Sequence, residues 1–196
     1  MTYWRQKRRT MKRYDSSAYV YDVQYQEEQE AKIRTALTEI NLTRKDTIID
    51  LGCGTGQLLP HILNSVKLVV CVDVSRNLLA QTKTRTQHRR QVVLLRADAD
   101  NLPFQPHKLD VAFAITLLQN MPSPIRTLNE MKRVTREDGI FVVTGLKKCF
   151  SEQQFEQLLK QARFEINSLK LDEAQREYIA VCTSAKESLN RTPKPL

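Results

Sequence analysis

Short apolar runs alternate with amphipathic stretches along most of this chain. The runs at 47–51, 68–72, 92–95, 109–115 and 140–144 are near-continuous, as expected of strands covered on both faces. Between them, 57–64, 76–86 and 124–134 carry apolar positions at helical spacing. Ser75 and Ser123 stand where N-caps belong, and Pro124 fits the first position of a helix. This alternation predicts βαβ units: an α/β fold with a parallel, doubly wound sheet and helices on both faces.

The two ends follow other patterns. Residues 26–40 predict a helix with Ile33, Ala36, Leu37 and Ile40 on one face, acids in its first turn, and Glu28–Lys32 and Glu30–Arg34 spaced for i,i+4 pairing. Near the other end, Ser151 and Gln154 make a capping box for a helix whose buried stripe is Phe155, Leu158, Leu159 and Ala162. Two apolar runs follow, near 164–171 and 177–183, and the five residues from Asp172 to Arg176 are too few for a crossover helix. They predict a C-terminal antiparallel hairpin at the sheet edge, making seven strands. Pro193 and Pro195 mark 186–196 as a flexible tail. The organisation expected is a basic, aromatic tail over 1–14, then one domain over 15–185 whose first part, 15–46, is a helical cover.

Composition excludes several classes. With 41% apolar and 27% charged residues, the 196-residue chain has the makeup of one soluble domain rather than a disordered or fibrous protein. No apolar run approaches the roughly 18–20 residues of a membrane span, and no apolar stretch follows the basic N-terminus as in a secretory signal, so no membrane association and a cytoplasmic address are expected. Cys53, Cys71, Cys149 and Cys182 are widely spaced without a Cys-x-x-Cys pair, so neither a metal site nor a disulfide framework is expected. Cys71 and Cys182 lie inside apolar runs and read as core residues.

The net charge of +9 is concentrated in two segments. Arg5, Lys7, Arg8, Arg9, Lys12 and Arg13 lie in 1–14, and Lys83, Arg85, Arg89, Arg90 and Arg96 in 83–96, neither segment containing an acid. A solvated surface and a polyanion-binding surface fit this charge equally well. Aromatic content favours the second: Trp4, Tyr3, Tyr14, Tyr19, Tyr21 and Tyr25 all lie in the first 25 residues, and flat rings beside cations suit RNA bases and phosphates together. Met11 offers a second in-frame start that would remove four of these cations.

The chemistry is concentrated after the first strand. It runs into Asp50-Leu-Gly-Cys-Gly-Thr-Gly56 and then a helix, and the second strand ends on Asp73. Glycines allow the sharp turn and bring backbone N–H groups to a ligand at a helix start. An acid closing the next strand is where a ribose-binding carboxylate belongs. The spacing differs from the dinucleotide Gly-x-Gly-x-x-Gly fingerprint, and no Gly-Lys-Ser/Thr follows as in a P-loop.

Over roughly 15–183 the sequence resembles the class I S-adenosylmethionine-dependent methyltransferases, whose fold is a Rossmann-like doubly wound sheet. The resemblance rests on Asp50–Gly56, Asp73, the Arg96-Ala-Asp-Ala-Asp-Asn-Leu-Pro-Phe104 segment, and Leu109–Ile115 with its following loop. Arg133–Gly139 also matches the turn entering the fifth strand, and Tyr14-Asp-Ser-Ser-Ala18 the opening of ubiquinone C-methyltransferase-like members, which closes over the cofactor. It implies S-adenosyl-L-methionine as cofactor, with Asp50, Gly52, Cys53, Gly54 and Gly56 around its methionine part. Asp73 would then grip the ribose, Val74, Asp98 and Ala99 the adenine, and Thr116 would face the methyl donor. Thr116, Gln119, Asn120 and Tyr21 are the substrate-side candidates, and a loop cap fits the first three equally well. Asn120-Met-Pro122 departs from the Asn/Asp-Pro-Pro-Tyr/Phe loop of enzymes acting on exocyclic base amines.

An RNA acceptor, tRNA or rRNA favoured, is the first reading, and a quinone-like or other small metabolite the alternative. The intact glycine turn and paired acids argue against a degenerate binding module. Only about twenty residues, 145–164, separate the fifth and sixth strands, where many small-molecule members insert a lid. In this family's strand order 91–95 is a sheet edge. Either its flanking arginines protect it, or it accepts a small zinc-ribbon activator or a second copy by strand addition.

Overall fold

All seven expected strands form, in a computed structural model that describes residues 3–87, 89–171 and 175–185. The strands are β1 (Thr47–Leu51), β2 (Leu68–Asp73), β3 (Val92–Arg96), β4 (Leu109–Ala114), β5 (Thr135–Leu146), β6 (Phe164–Lys170) and β7 (Glu177–Ser184). Their order is β3-β2-β1-β4-β5-β7-β6. The first five are parallel, β7 runs antiparallel to β5, and β6 pairs antiparallel with β7. The helices are α1 (Tyr3–Leu37), α2 (Leu59–Ile62), α3 (Arg76–Thr86), α4 (Pro124–Val134) and α5 (Glu152–Gln161). Two apolar clusters result, one on each face of the sheet. Ile33, Ile62 and Leu79 join one, and Leu128, Met131 and Phe155 the other.

Local details differ from the expectations where polar atoms decide them. Ser75 caps α3 by accepting from Leu78 N at 3.2 Å, whereas Ser123 makes no side-chain cap and receives Arg126 N on its carbonyl. The helix expected over 57–64 forms only at Leu59–Ile62, because the glycine turn occupies the residues before it. β5 begins at Thr135 rather than 140, with a bulge: Leu109 pairs with Thr135, but Val111 with Ile140. Inside the bulge, Arg136 reaches back to Asp110 at 2.7 Å.

The largest departure is at the N-terminus. No separate tail over 1–14 and cover over 15–46 form; residues 3–37 are one 35-residue helix. Its C-terminal part buries Ile33 and Ala36 as expected, and Ile40 is buried just beyond its end. Its N-terminal part is docked by polar contacts instead. Asp15 accepts from Ser75 Oγ at 2.6 Å and from Asn77 N at 3.3 Å. Arg126 lies over the Tyr3 ring, 5.8 Å from its centroid. No helix among the described residues is long and apolar enough to cross a membrane. The C-terminal tail over 186–196 lies outside the described residues.

Candidate active site

A cavity of about 700 Å³, open mouth included, lies at the carboxyl ends of the strands. It sits where the strand order reverses between β1 and β4, the crevice in which doubly wound sheets bind ligands. Its floor follows from the turn after β1. Gly52, Gly54 and Gly56 have φ of 70°, 57° and 78°, a left-handed run open to glycine at no steric cost. The turn returns Gly52 N and Cys53 N to Val72 O at 2.8 and 3.1 Å.

Asp73 ties this turn to the start of α3. One carboxylate oxygen accepts from Gly54 N at 3.0 Å and the other from Ser75 N at 2.8 Å. Burial outweighs those bonds and pushes its pKa up to about 6. Asp50, 4% exposed, is pushed up to about 7 by burial and then by the charge of Asp73. Two buried carboxylates thus stand behind one glycine loop.

The cavity brings together Gly52, Gly54, Asp73, Val74, Asp98, Ala99, Thr116 and Asn120, all expected there. Asp50 and Cys53 instead line a second, smaller cavity of about 360 Å³ that shares Gly52, Gly54 and Ile115 with the first. Gly56 lines neither. A Cβ on it would meet Thr82 Cγ2 at 2.7 Å and Leu59 Cδ1 at 2.9 Å, so it lets the loop pack on α2 and α3. Gln119 also lines neither, and its Oε1 is buried with no donor. Tyr21 falls within α1, but its side chain lies outside the described residues.

The roof reaches further towards the N-terminus than the expected cover beginning at Tyr14. Lys7, Thr10 and Tyr14 of α1 face the cavity. Lys7 donates to both oxygens of Asp98 at 2.6 and 2.8 Å and also to Asp100. Arg13 donates to Asn120 Oδ1 at 2.8 Å, and Asn120 Nδ2 donates to Thr116 O at 3.0 Å. A basic run gives no local sign that two of its cations bond to residues lining the cavity. Helical spacing carries the hint, since Lys7, Thr10 and Tyr14 share one face of α1. Lys7→Met is expected to speed tryptic cleavage after Arg5, Arg8 and Arg9 several-fold while the sheet resists, followed by mass spectrometry. Unchanged cleavage would show that the ion pairs do not hold this part of the helix.

Residues 49–143 match the sequence profile of a methyltransferase domain. That stretch supplies most of the residues lining the larger cavity. Residues 49–143, the glycine turn and Asp73 among them, belong to that methyltransferase-domain family. Among curated relatives, the chain is 31% identical over 145 residues to the malonyl-(acyl-carrier protein) O-methyltransferase of Marinomonas sp., covering 72% of this chain and 53% of that protein. It is 30% identical over 112 residues to the demethylmenaquinone methyltransferase of Staphylococcus saprophyticus, covering 56% and 48%. The chain thus spans about half the length of these curated relatives. Among solved structures it superposes with a TM-score of 0.78 on a chain of the complex between the Haloferax volcanii Trm112 methyltransferase activator and a methyltransferase. That match has 15% identity and covers 88% of this chain and 98% of the other, a likeness of fold.

Proposed function

We propose that this protein transfers a methyl group from S-adenosylmethionine to a nucleophilic atom of an RNA, with tRNA or rRNA favoured. Asp73 accepts from the ribose hydroxyls through the lone pairs its backbone bonds leave free. Asp98 receives the adenine amine between Val74 and Ala99, and the Gly52–Gly54 backbone cradles the methionine part, with Asp50 and Cys53 behind it. The cavity carries these groups on one continuous lining, with Asp73, Val74, Asp98 and Ala99 beside Gly52 and Gly54. The cofactor, when bound, supplies a methyl group activated by its sulfonium. The protein's part is to hold donor and acceptor in line and to keep water out. Thr116 and Asn120 lie on the acceptor side.

One observation carries the RNA reading: the fold brings the two basic segments together. Arg96 Nη2 lies 3.6 Å from Met11 Sδ and Arg96 Nε donates to Val74 O at 3.0 Å, beside the cavity mouth. Arg5, Arg8, Arg9 and Lys12 are exposed on α1, with Trp4 and Tyr19 at 55% and 82% exposure. Lys83, Arg89 and Arg90 are exposed on the neighbouring α3–β3 side. Between β5 and β6 the chain holds only α5, so no inserted lid narrows the mouth from there.

The deciding experiment is transfer of a labelled methyl group to RNA, protein and small-metabolite fractions compared side by side. Label in RNA is the expected result. Label in metabolites alone would favour the small-molecule chemistry that the relatives' names describe. Replacing Arg5, Arg8, Arg9 and Lys12 by Gln is expected to flatten the salt dependence of RNA binding by roughly 0.7–0.9 in log–log slope for each phosphate no longer neutralised. An unchanged slope would place the RNA elsewhere.

The reading includes a partner. β3 is one of the two sheet edges, and Val93 is 45% exposed on it. An apolar edge strand offers unpaired backbone groups to another chain. We infer that a small zinc-ribbon activator, or a second copy, pairs along 91–95, in keeping with the likeness to the Haloferax complex. Purification from native cells is expected to yield a complex heavier than the chain. A stoichiometric monomer active on RNA would reject the partner.

A further inference from the structure

Thr116 is held in a conformation that a β-branched residue avoids. Its φ is 57° at the turn leaving β4, where a Cβ branch is strained. Every polar atom of the residue is used to hold it there. Its N–H donates to Thr144 Oγ1 at 2.7 Å, and its carbonyl accepts from Asn120 Nδ2 at 3.0 Å. Its hydroxyl accepts from Lys32 Nζ at 2.9 Å and Gln29 Nε2 at 3.1 Å, and donates to Glu177 Oε1 at 2.9 Å. One donor and two lone pairs are thereby satisfied.

The group beneath Thr116 is charged and buried. Lys32 and Glu177 are each 1% exposed and pair at 2.9 Å, one on α1 and the other on β7. The three ammonium protons of Lys32 match three acceptors: Glu177, Thr116 and, at 3.3 Å, Glu28. Apolar side chains of similar volume would serve the core as well or better than a buried ion pair. They could not take the hydroxyl's hydrogen bonds.

We propose that Lys32, Glu177 and Gln29 are positioning residues for the acceptor side of the cavity. They hold Thr116, and through its carbonyl Asn120, so that the wall over 115–121 keeps one shape. Because Asn120 also receives Arg13 at 2.8 Å, the same network fixes the wall to the α1 roof. This holds whatever the acceptor is, since it concerns the cavity wall and not the ligand's identity.

The test is amide hydrogen exchange together with binding of S-adenosylhomocysteine. In the double variant Lys32→Met/Glu177→Leu, amides of 116–121 are expected to exchange at least tenfold faster while those of β1, β4 and β5 keep their protection. Affinity for S-adenosylhomocysteine should fall several-fold. Glu177→Gln keeps an oxygen for the Thr116 hydroxyl, and its loop protection should stay within about threefold of the parent. Glu177→Leu alone should lose it. Thr116→Gly removes the strain that the network opposes, so adding the double substitution to it should change loop exchange by less than about twofold. Unchanged loop protection in the double variant would overturn the proposal. An equal effect with and without Thr116→Gly would do so too, leaving the pair as core filling. If the double variant does not fold, the contrast between Glu177→Gln and Glu177→Leu decides: equal loop protection in both rejects the network.

Discussion

Asp73→Ala is expected to weaken S-adenosylmethionine binding by more than tenfold, measured by calorimetry. Two effects combine in this variant. Charge-assisted hydrogen bonds to the ribose hydroxyls are worth roughly 1.5–3 kcal/mol each, and every 1.4 kcal/mol is a factor of ten. The same carboxylate accepts from Gly54 N at 3.0 Å and Ser75 N at 2.8 Å, so the glycine turn and the start of α3 also lose their common anchor. Gly54→Val separates the two effects. It leaves the Asp73 carboxylate in place but puts a β-branched side chain at a φ of 57° on a residue lining both cavities. Binding should weaken by more than tenfold in Asp73→Ala and further still in Gly54→Val. Unchanged affinity in both would move the cofactor out of this cleft.

What was legible in the sequence follows from where burial is apolar. β1, β2 and β4 are covered on both faces, so their apolar runs carried strand and boundary together. β5 was legible only from residue 140, because Arg136, Glu137 and Asp138 of its bulge are exposed and leave no apolar trace. The glycine turn and Asp73 were legible because backbone conformation and a strand-end acid both leave marks in local sequence. The first half of α1 was not. Its inward face holds Lys7, Thr10 and Tyr14, so a helix docked by ion pairs shows no hydrophobic stripe and reads as a tail.

Lys32 shows the same limit in a sharper form. At four residues from Glu28 it reads as one half of a surface pair, and that bond does form at 3.3 Å. Its principal partner is Glu177, 145 residues away, which no local pattern connects to it. Gly56 shows the limit from the other side. It stands in the glycine motif by position, and in the fold it packs against Thr82 and Leu59 and lines neither cavity. Motif position located the loop, and only geometry separated the glycines that line the cavities from the one packed against α2 and α3.

Asp50→Asn is expected to stabilise the ligand-free protein at pH 8 and to have little effect at pH 4. Burial holds Asp50 at about 7 and Asp73 at about 6, both above the ordinary carboxylate value of 3.8. With a raised folded pKa, the folded chain keeps a proton that the unfolded chain has released. That stabilisation is complete below about pH 4 and is lost as pH rises through 6 and 7. At roughly 1.4 kcal/mol per pKa unit, ionising Asp50 costs the fold on the order of 4 kcal/mol at pH 8. For a domain of this size that is a melting shift of roughly 8–16 °C. Glu130, held low by its hydrogen bond to Arg133, pulls total stability the other way, so the difference between parent and variant is the quantity to follow. It should be near zero at pH 4 and widen towards pH 8. Cofactor affinity should run in the opposite sense to stability. Ribose hydroxyls donate to the ionised form of Asp73, so binding tightens as pH rises through about 6. Fluorescence melts and calorimetry across pH 5–8 read both slopes from one preparation. A difference between parent and Asp50→Asn that stays flat with pH would show that Asp50 is ionised throughout, and a flat affinity would remove Asp73 from the ribose.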